Sequence, residues 1–63
     1  MQTDADTTRK VRVALVEDDP EARVRLEASI RADDALELDA SYATGAAALA
    51  ALAERAPDVL LVD

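Results

Sequence analysis

The stretch VRVALVEDDP, Val11 to Pro20, decides how this chain is read. Its first six residues, VRVALV, are β-branched or aliphatic apart from Arg12, the pattern of a buried strand, and they stop at three acids, Glu17, Asp18 and Asp19. Asp19 followed by Pro20 is a helix start. The Asp oxygen can accept from the free N–H groups of a first turn, and Pro fits there because its missing N–H costs nothing.

Working outward, the helix is expected over Pro20 to about Ala32. Ala22, Leu26 and Ile30 fall four apart, with Val24 and Ala28 alongside, which leaves Arg23, Glu27 and Arg31 outward. Asp33 and Asp34 end it. Leu36 to Tyr42 (LELDASY) then sets Leu36, Leu38, Ala40 and Tyr42 against Glu37, Asp39 and Ser41, the alternation of a half-exposed edge strand. Thr44 and Gly45 turn the chain into a second helix, Ala46 to about Arg55, with Leu49 and Leu52 on its buried side and Pro57 ending it. Val59–Val62 (VLLV) is a second fully apolar strand, followed by Asp63.

Strand, helix, strand, helix, strand with short connections implies two right-handed βαβ crossovers and one parallel sheet, an α/β fold. Apolar strands belong inside a sheet and the alternating one at its edge, so the expected strand order is 2-1-3, with the helices on opposite faces.

Composition narrows the function. A chain of 63 residues buries only about 60% of the surface its unfolded form exposes, which excludes a multidomain enzyme. It has no Cys and no His, so neither a disulfide nor a zinc site of the usual kind can reinforce it, and any metal must be held by oxygen. Fifteen of the apolar residues are alanine and only Tyr42 is aromatic, so the expected core is thin. With 14 acidic and 7 basic side chains the net charge is −7, which disfavours nucleic acid and anionic membrane as direct partners. Met1 to Lys10 is polar throughout and reads as a disordered lead-in, with Arg9, Lys10 and Arg12 a solvated flank. No apolar run approaches the ~20 residues of a membrane span, and a cytoplasmic location is expected.

In an open parallel sheet, ligands gather outside the carboxyl ends of the strands, where neighbouring connections leave for opposite faces. Here that point lies between the first and third strands, which end in Glu17, Asp18, Asp19 and in Asp63. Like charges brought this close call for a cation. Mg²⁺ fits, because it takes hard oxygen ligands from one or two carboxylates and keeps several waters. A carboxylate beside such an ion can act as a nucleophile toward a phosphoryl group, and Asp63 is the candidate.

At these residues, VALVEDDP, the A-T-G turn and APDVLLVD, the chain resembles the N-terminal half of a response-regulator receiver domain, the CheY-like phosphoacceptor module of two-component signalling. The family is a known example of a 2-1-3-4-5 sheet, so the resemblance implies the same strand order as the pattern does. The resemblance covers Val11 to Asp63. It implies that Glu17 and Asp18 are the acidic pair that holds Mg²⁺, Asp18 directly and Glu17 through a water, and that Asp63, 45 positions after Asp18, is both a metal ligand and the phosphorylated aspartate. Asp19, one place beyond the pair, is assigned to capping.

The implied protein is a signalling phosphoacceptor rather than an enzyme. Its partner would be a sensor histidine kinase and its output a process such as transcription, the alanine-rich second half being most similar to regulators with a LuxR-type DNA-binding output domain. The family's hydroxyl residue, lysine and backbone carbonyl ligand lie beyond its phosphoacceptor. The chain is therefore expected to be an incomplete receiver, inactive alone, with its open strand taken by the remainder of the receiver or by a dimer partner. Two alternatives stand beside this reading. One is an interaction fragment that binds another chain through the open sheet edge. The other is a Toprim-like Mg²⁺ enzyme acting on phosphodiesters, which needs a second Asp two places past Asp63.

Overall fold

The computed structural model describes residues 9–63; most of the N-terminal lead-in expected to be disordered lies outside them. Five elements follow in order: β1 (Val11–Val16), α1 (Pro20–Ala32), β2 (Leu36–Tyr42), α2 (Gly45–Leu52) and β3 (Val59–Val62). The strands form one parallel sheet in the order β2-β1-β3, as the apolar and alternating patterns require. Among the described residues, no helix is long and apolar enough to cross a membrane.

The core is built around β1. Val13, Ala14, Leu15 and Val16 are all buried, Leu15 completely. Val13 and Leu15 pack with Ile30 of α1, and Leu26, Leu36 and Leu38 close around them. The other face of the sheet carries Ala14 and Val16 of β1, and on that side α2 packs against β2, with Ala48 as its buried residue. The helices thus lie on opposite faces, as expected.

An irregularity in β2 departs from the sequence reading. Val13 pairs with Leu38, but the next residue, Ala14, pairs with Ala40, so Asp39 is an extra residue in a β-bulge. Residues paired in a parallel ladder share a face. Leu36 and Leu38 therefore face α1, while Ala40 and Tyr42, paired with Ala14 and Val16, face α2. The expected single apolar face is split between the two layers. Ser41 turns toward the α1 face opposite Leu15, and its Oγ is buried without a hydrogen-bond partner.

The helices also correct the sequence reading. In α1, Ala22, Leu26 and Ile30 face inward as expected, but Val24 is 62% exposed and Ala28 is exposed, while Arg23 and Glu27 are half-buried. A 13-residue helix resting on so small a sheet covers it with one narrow stripe, so residues flanking that stripe stay in water. In α2, Leu49 is 69% exposed and Ala48 makes the contact instead. The smaller side chain lets the helix backbone sit close to the sheet. Beside it the alanines leave an open depression of about 480 Å³ toward Ala40 and Tyr42.

The second helix ends at Leu52 rather than near Arg55. The Ala51 carbonyl accepts from both Glu54 and Arg55, so the last turn tightens, and the chain leaves the helix three residues before Ala56 and Pro57. Its other end is capped by Thr44, whose Oγ1 accepts from Ala47 N at 3.1 Å. Thr44→Ala is expected to cost about 1 kcal/mol, read as a lower denaturation midpoint at unchanged slope.

Candidate functional site

The carboxyl rim forms where β1 ends between its two neighbours. Glu17 N donates to Tyr42 O at 3.0 Å on the β2 side, and Asp63 N donates to Val16 O at 3.1 Å on the β3 side. Val16 and Val62 are ladder partners, so Glu17 and Asp63 are the next residues of adjacent strands. The backbone thus brings Glu17, Asp18 and Asp63 to one rim, as the order of strands and acids leads one to expect.

Their side chains differ in environment. Glu17 is 6% exposed and its Oε2 accepts from Asp19 N at 2.9 Å, a charge-assisted bond that closes the β1–α1 turn. Asp18 and Asp63 are exposed, and among the described residues neither carboxylate takes a hydrogen bond or salt bridge. Among those same residues, no group of three or more acidic side chains is arranged to hold a metal ion. The donor chemistry nevertheless fits Mg²⁺, since the rim offers only hard oxygens and two of its carboxylates are unengaged. Two surface depressions lie elsewhere, one between α2 and β2 and one along Pro20, Glu21, Val24 and Arg25. A hydrated cation on an open rim needs no enclosed cavity.

Asp19 does not act as expected. It occupies the N-cap position of α1, and Arg23 N bonds to its backbone O at 2.8 Å, but its side chain makes no capping bond. The Asp19 amide is instead held by Glu17, so the more buried acid performs the local closure. Arg23, expected to point outward, reaches back and donates to Glu17 O at 2.9 Å. This places a cation at the rim. The sequence signal was its position in the first turn of a helix that starts at the rim.

A second polar cluster escaped the sequence reading. Asp39, the bulge residue, has a side chain only 9% exposed; Arg55 Nη2 lies 2.9 Å from its Oδ1 and Arg12 Nε 3.6 Å from the same atom. Arg12 is no solvated flank. Its guanidinium also donates to Ala56 O, its backbone N donates to Asp58 Oδ2 at 2.9 Å, and its O accepts from Asp58 N. These bonds tie β2, β1 and the α2–β3 connection together at the end of the sheet opposite the acidic rim. No local sequence pattern marks Arg12, Asp39 and Arg55 as neighbours.

Comparison with known proteins returned no match: no protein-family model, no curated protein and no solved structure matches this chain.

Proposed function

We propose that this chain carries the phosphoacceptor face of a two-component receiver, with Asp63 taking a phosphoryl group from the phosphohistidine of a sensor kinase. The observation that carries the reading is the pairing of β3 with β1, which sets Asp63 one ladder step past Val62 and beside the acidic turn Glu17–Asp18. An Asp63 oxygen would attack phosphorus as the P–N bond breaks, giving an acyl phosphate and returning the electron pair to the imidazole. Bound Mg²⁺ would neutralise charge on the transferred oxygens. The chain's own contribution is to hold Glu17 in place through Asp19 N, to leave Asp18 and Asp63 open, and to set Arg23 at the rim. Such a module is switched by phosphate rather than catalytic, and it would work in the cytoplasm on an output such as transcription.

Mg²⁺ is the first test. Titration into the 63-residue chain is expected to shift the amide resonances of Glu17, Asp18 and Asp63 and to leave those of Arg12 and Asp39 in place. Phosphoryl transfer is tested with a small acyl phosphate on a polypeptide that follows Asp63 with the strands bearing the hydroxyl and lysine. Labelling is expected to vanish in Asp63→Asn. Retention of label in that variant, or Mg²⁺ shifts spread evenly over all carboxylates, overturns the reading.

A further inference from the structure

Arg23 is the half-buried cation of α1, and among the described residues it forms no salt bridge. Arg12 and Arg55 share Asp39, while Glu27, one turn beyond Arg23, pairs with Arg31 at 4.0 Å, the more favourable order of charges along a helix. Arg23 turns the other way, to the acidic rim. Its Nη1 donates to Glu17 O at 2.9 Å, a neutral acceptor that fixes the side chain without cancelling its charge. Glu17 N donates to Tyr42 O, so the N–H and C=O of Glu17 both face β2, and the guanidinium closes the rim on that flank while Asp63 enters on the β3 flank. The field it meets there is strong. Glu17, Asp18 and Asp19 are consecutive acids without a salt bridge among the described residues, and burial of Glu17 keeps water from screening it.

We propose that Arg23 is the built-in counter-ion of the rim: its charge holds Glu17, Asp18 and Asp19 together in the ion-free protein and sets how tightly a divalent cation binds there. Without an ion, a fixed positive charge beside the three acids offsets their mutual repulsion. The same charge opposes a second cation entering the field, so the affinity for Mg²⁺ lies below what the carboxylate oxygens alone would give. Arg23 is thus a positioning residue that acts through the acids and not on a substrate. The metal half of this inference rests on the Mg²⁺ reading of the rim, whereas the ion-free half stands without it.

Arg23→Gln and Arg25→Gln each remove one positive charge from α1, but Arg25 is exposed and serves as the control. In EDTA at low salt, R23Q is expected to lower the urea midpoint, NaCl to recover most of that loss, and R25Q to leave the midpoint in place. In a Mg²⁺ titration followed at the amides of Asp18 and Asp63, R23Q is expected to bind about three- to tenfold more tightly than the parent chain. Arg23→Lys keeps the charge and loses the planar fork, and is expected to match the parent within about twofold. Unchanged or weaker Mg²⁺ binding in R23Q overturns the proposal, because Arg23 would then be a clamp on the Glu17 turn, and so does a Lys variant that behaves like the Gln one. A parent chain without Mg²⁺ shifts at the rim sinks the metal reading alone; the EDTA arm then decides the counter-ion role, and equal midpoints for R23Q and R25Q refute it. If R23Q is unfolded in EDTA at low salt, NaCl or Mg²⁺ is expected to refold it, and refolding by neither overturns the proposal.

Discussion

Leu15→Ala is expected to abolish cooperative folding of this chain at 25 °C. Leu15 is the fully buried large side chain, at 0% exposure in the central strand, where it meets Ile30 from α1. Truncating such a residue costs about 2 to 5 kcal/mol, the lost transfer energy plus that of the cavity left behind. A folded chain of this length holds roughly 3 to 9 kcal/mol in total. Few other residues can compensate, since among the described residues the buried set is completed by Val13, Ala14, Val16, Ile30, Ala48 and Glu17. Urea titration followed by circular dichroism is the measurement, and a near-zero midpoint or no transition is the expected record. Val24→Ala is the control: Val24 is 62% exposed, and its loss is expected to move the midpoint hardly at all. Equal effects from the two substitutions would show that the core does not lie where the structure has it.

The second large effect is expected at Asp39, a residue remote from the acidic rim. Asp39→Ala removes the carboxylate that faces Arg12 and Arg55, and Arg12 Nε, buried and without a hydrogen bond, then loses its nearest counter-charge. Leaving a buried polar group uncompensated costs about 1 to 3 kcal/mol. Arg55→Ala is expected to cost under ~1 kcal/mol, because its side chain is 70% exposed and solvent screens the pair. The bulge gives Asp39→Ala a second readout. Without the extra residue the ladder would run Ala14 against Asp39 and Val16 against Ser41, and Tyr42 would turn from the α2 face to the α1 face. Tyr42 O accepts the Glu17 amide, so the slip would reach the rim. Hydrogen exchange is expected to show faster exchange of the Glu17 amide in Asp39→Ala, beyond the general loss of stability, and near-normal protection in Arg55→Ala. Unchanged Glu17 protection in Asp39→Ala would mean that the bulge is held by strand packing alone.

These predictions bear on how much was legible in advance. The positions of β1 and β3 follow from β-branched and aliphatic runs, broken in β1 only by Arg12, and that of α1 from a four-residue spacing behind Asp19 and Pro20. Such signals are local, and in β1 the pattern survives folding because burial rewards it, whereas β3 keeps its place through its ladder with β1 while its side chains stay exposed. The bulge is different. LELDASY alternates cleanly, yet its apolar residues are shared between two faces, because Asp39 is inserted where Arg12 and Arg55 approach from segments 27 and 16 residues away. The same reason hid Leu49. Its exposure depends on where α2 sits on the sheet, and a helix of alanines leaves that choice to the neighbours it meets.

The sequence by itself determined the order of elements, the parallel sheet with β1 at its centre, and the arrival of Glu17, Asp18 and Asp63 at one rim, because each rests on periodicity and on acids that end apolar runs. Only the tertiary structure decided that Glu17 is buried and bonded to the Asp19 amide while Asp18 and Asp63 remain open. It alone placed Asp39 between two arginines and left both faces of β3 uncovered. The physical reason is that burial and charge pairing belong to contacts between segments far apart in the chain, and a side chain's partner there is set by packing that no local pattern encodes.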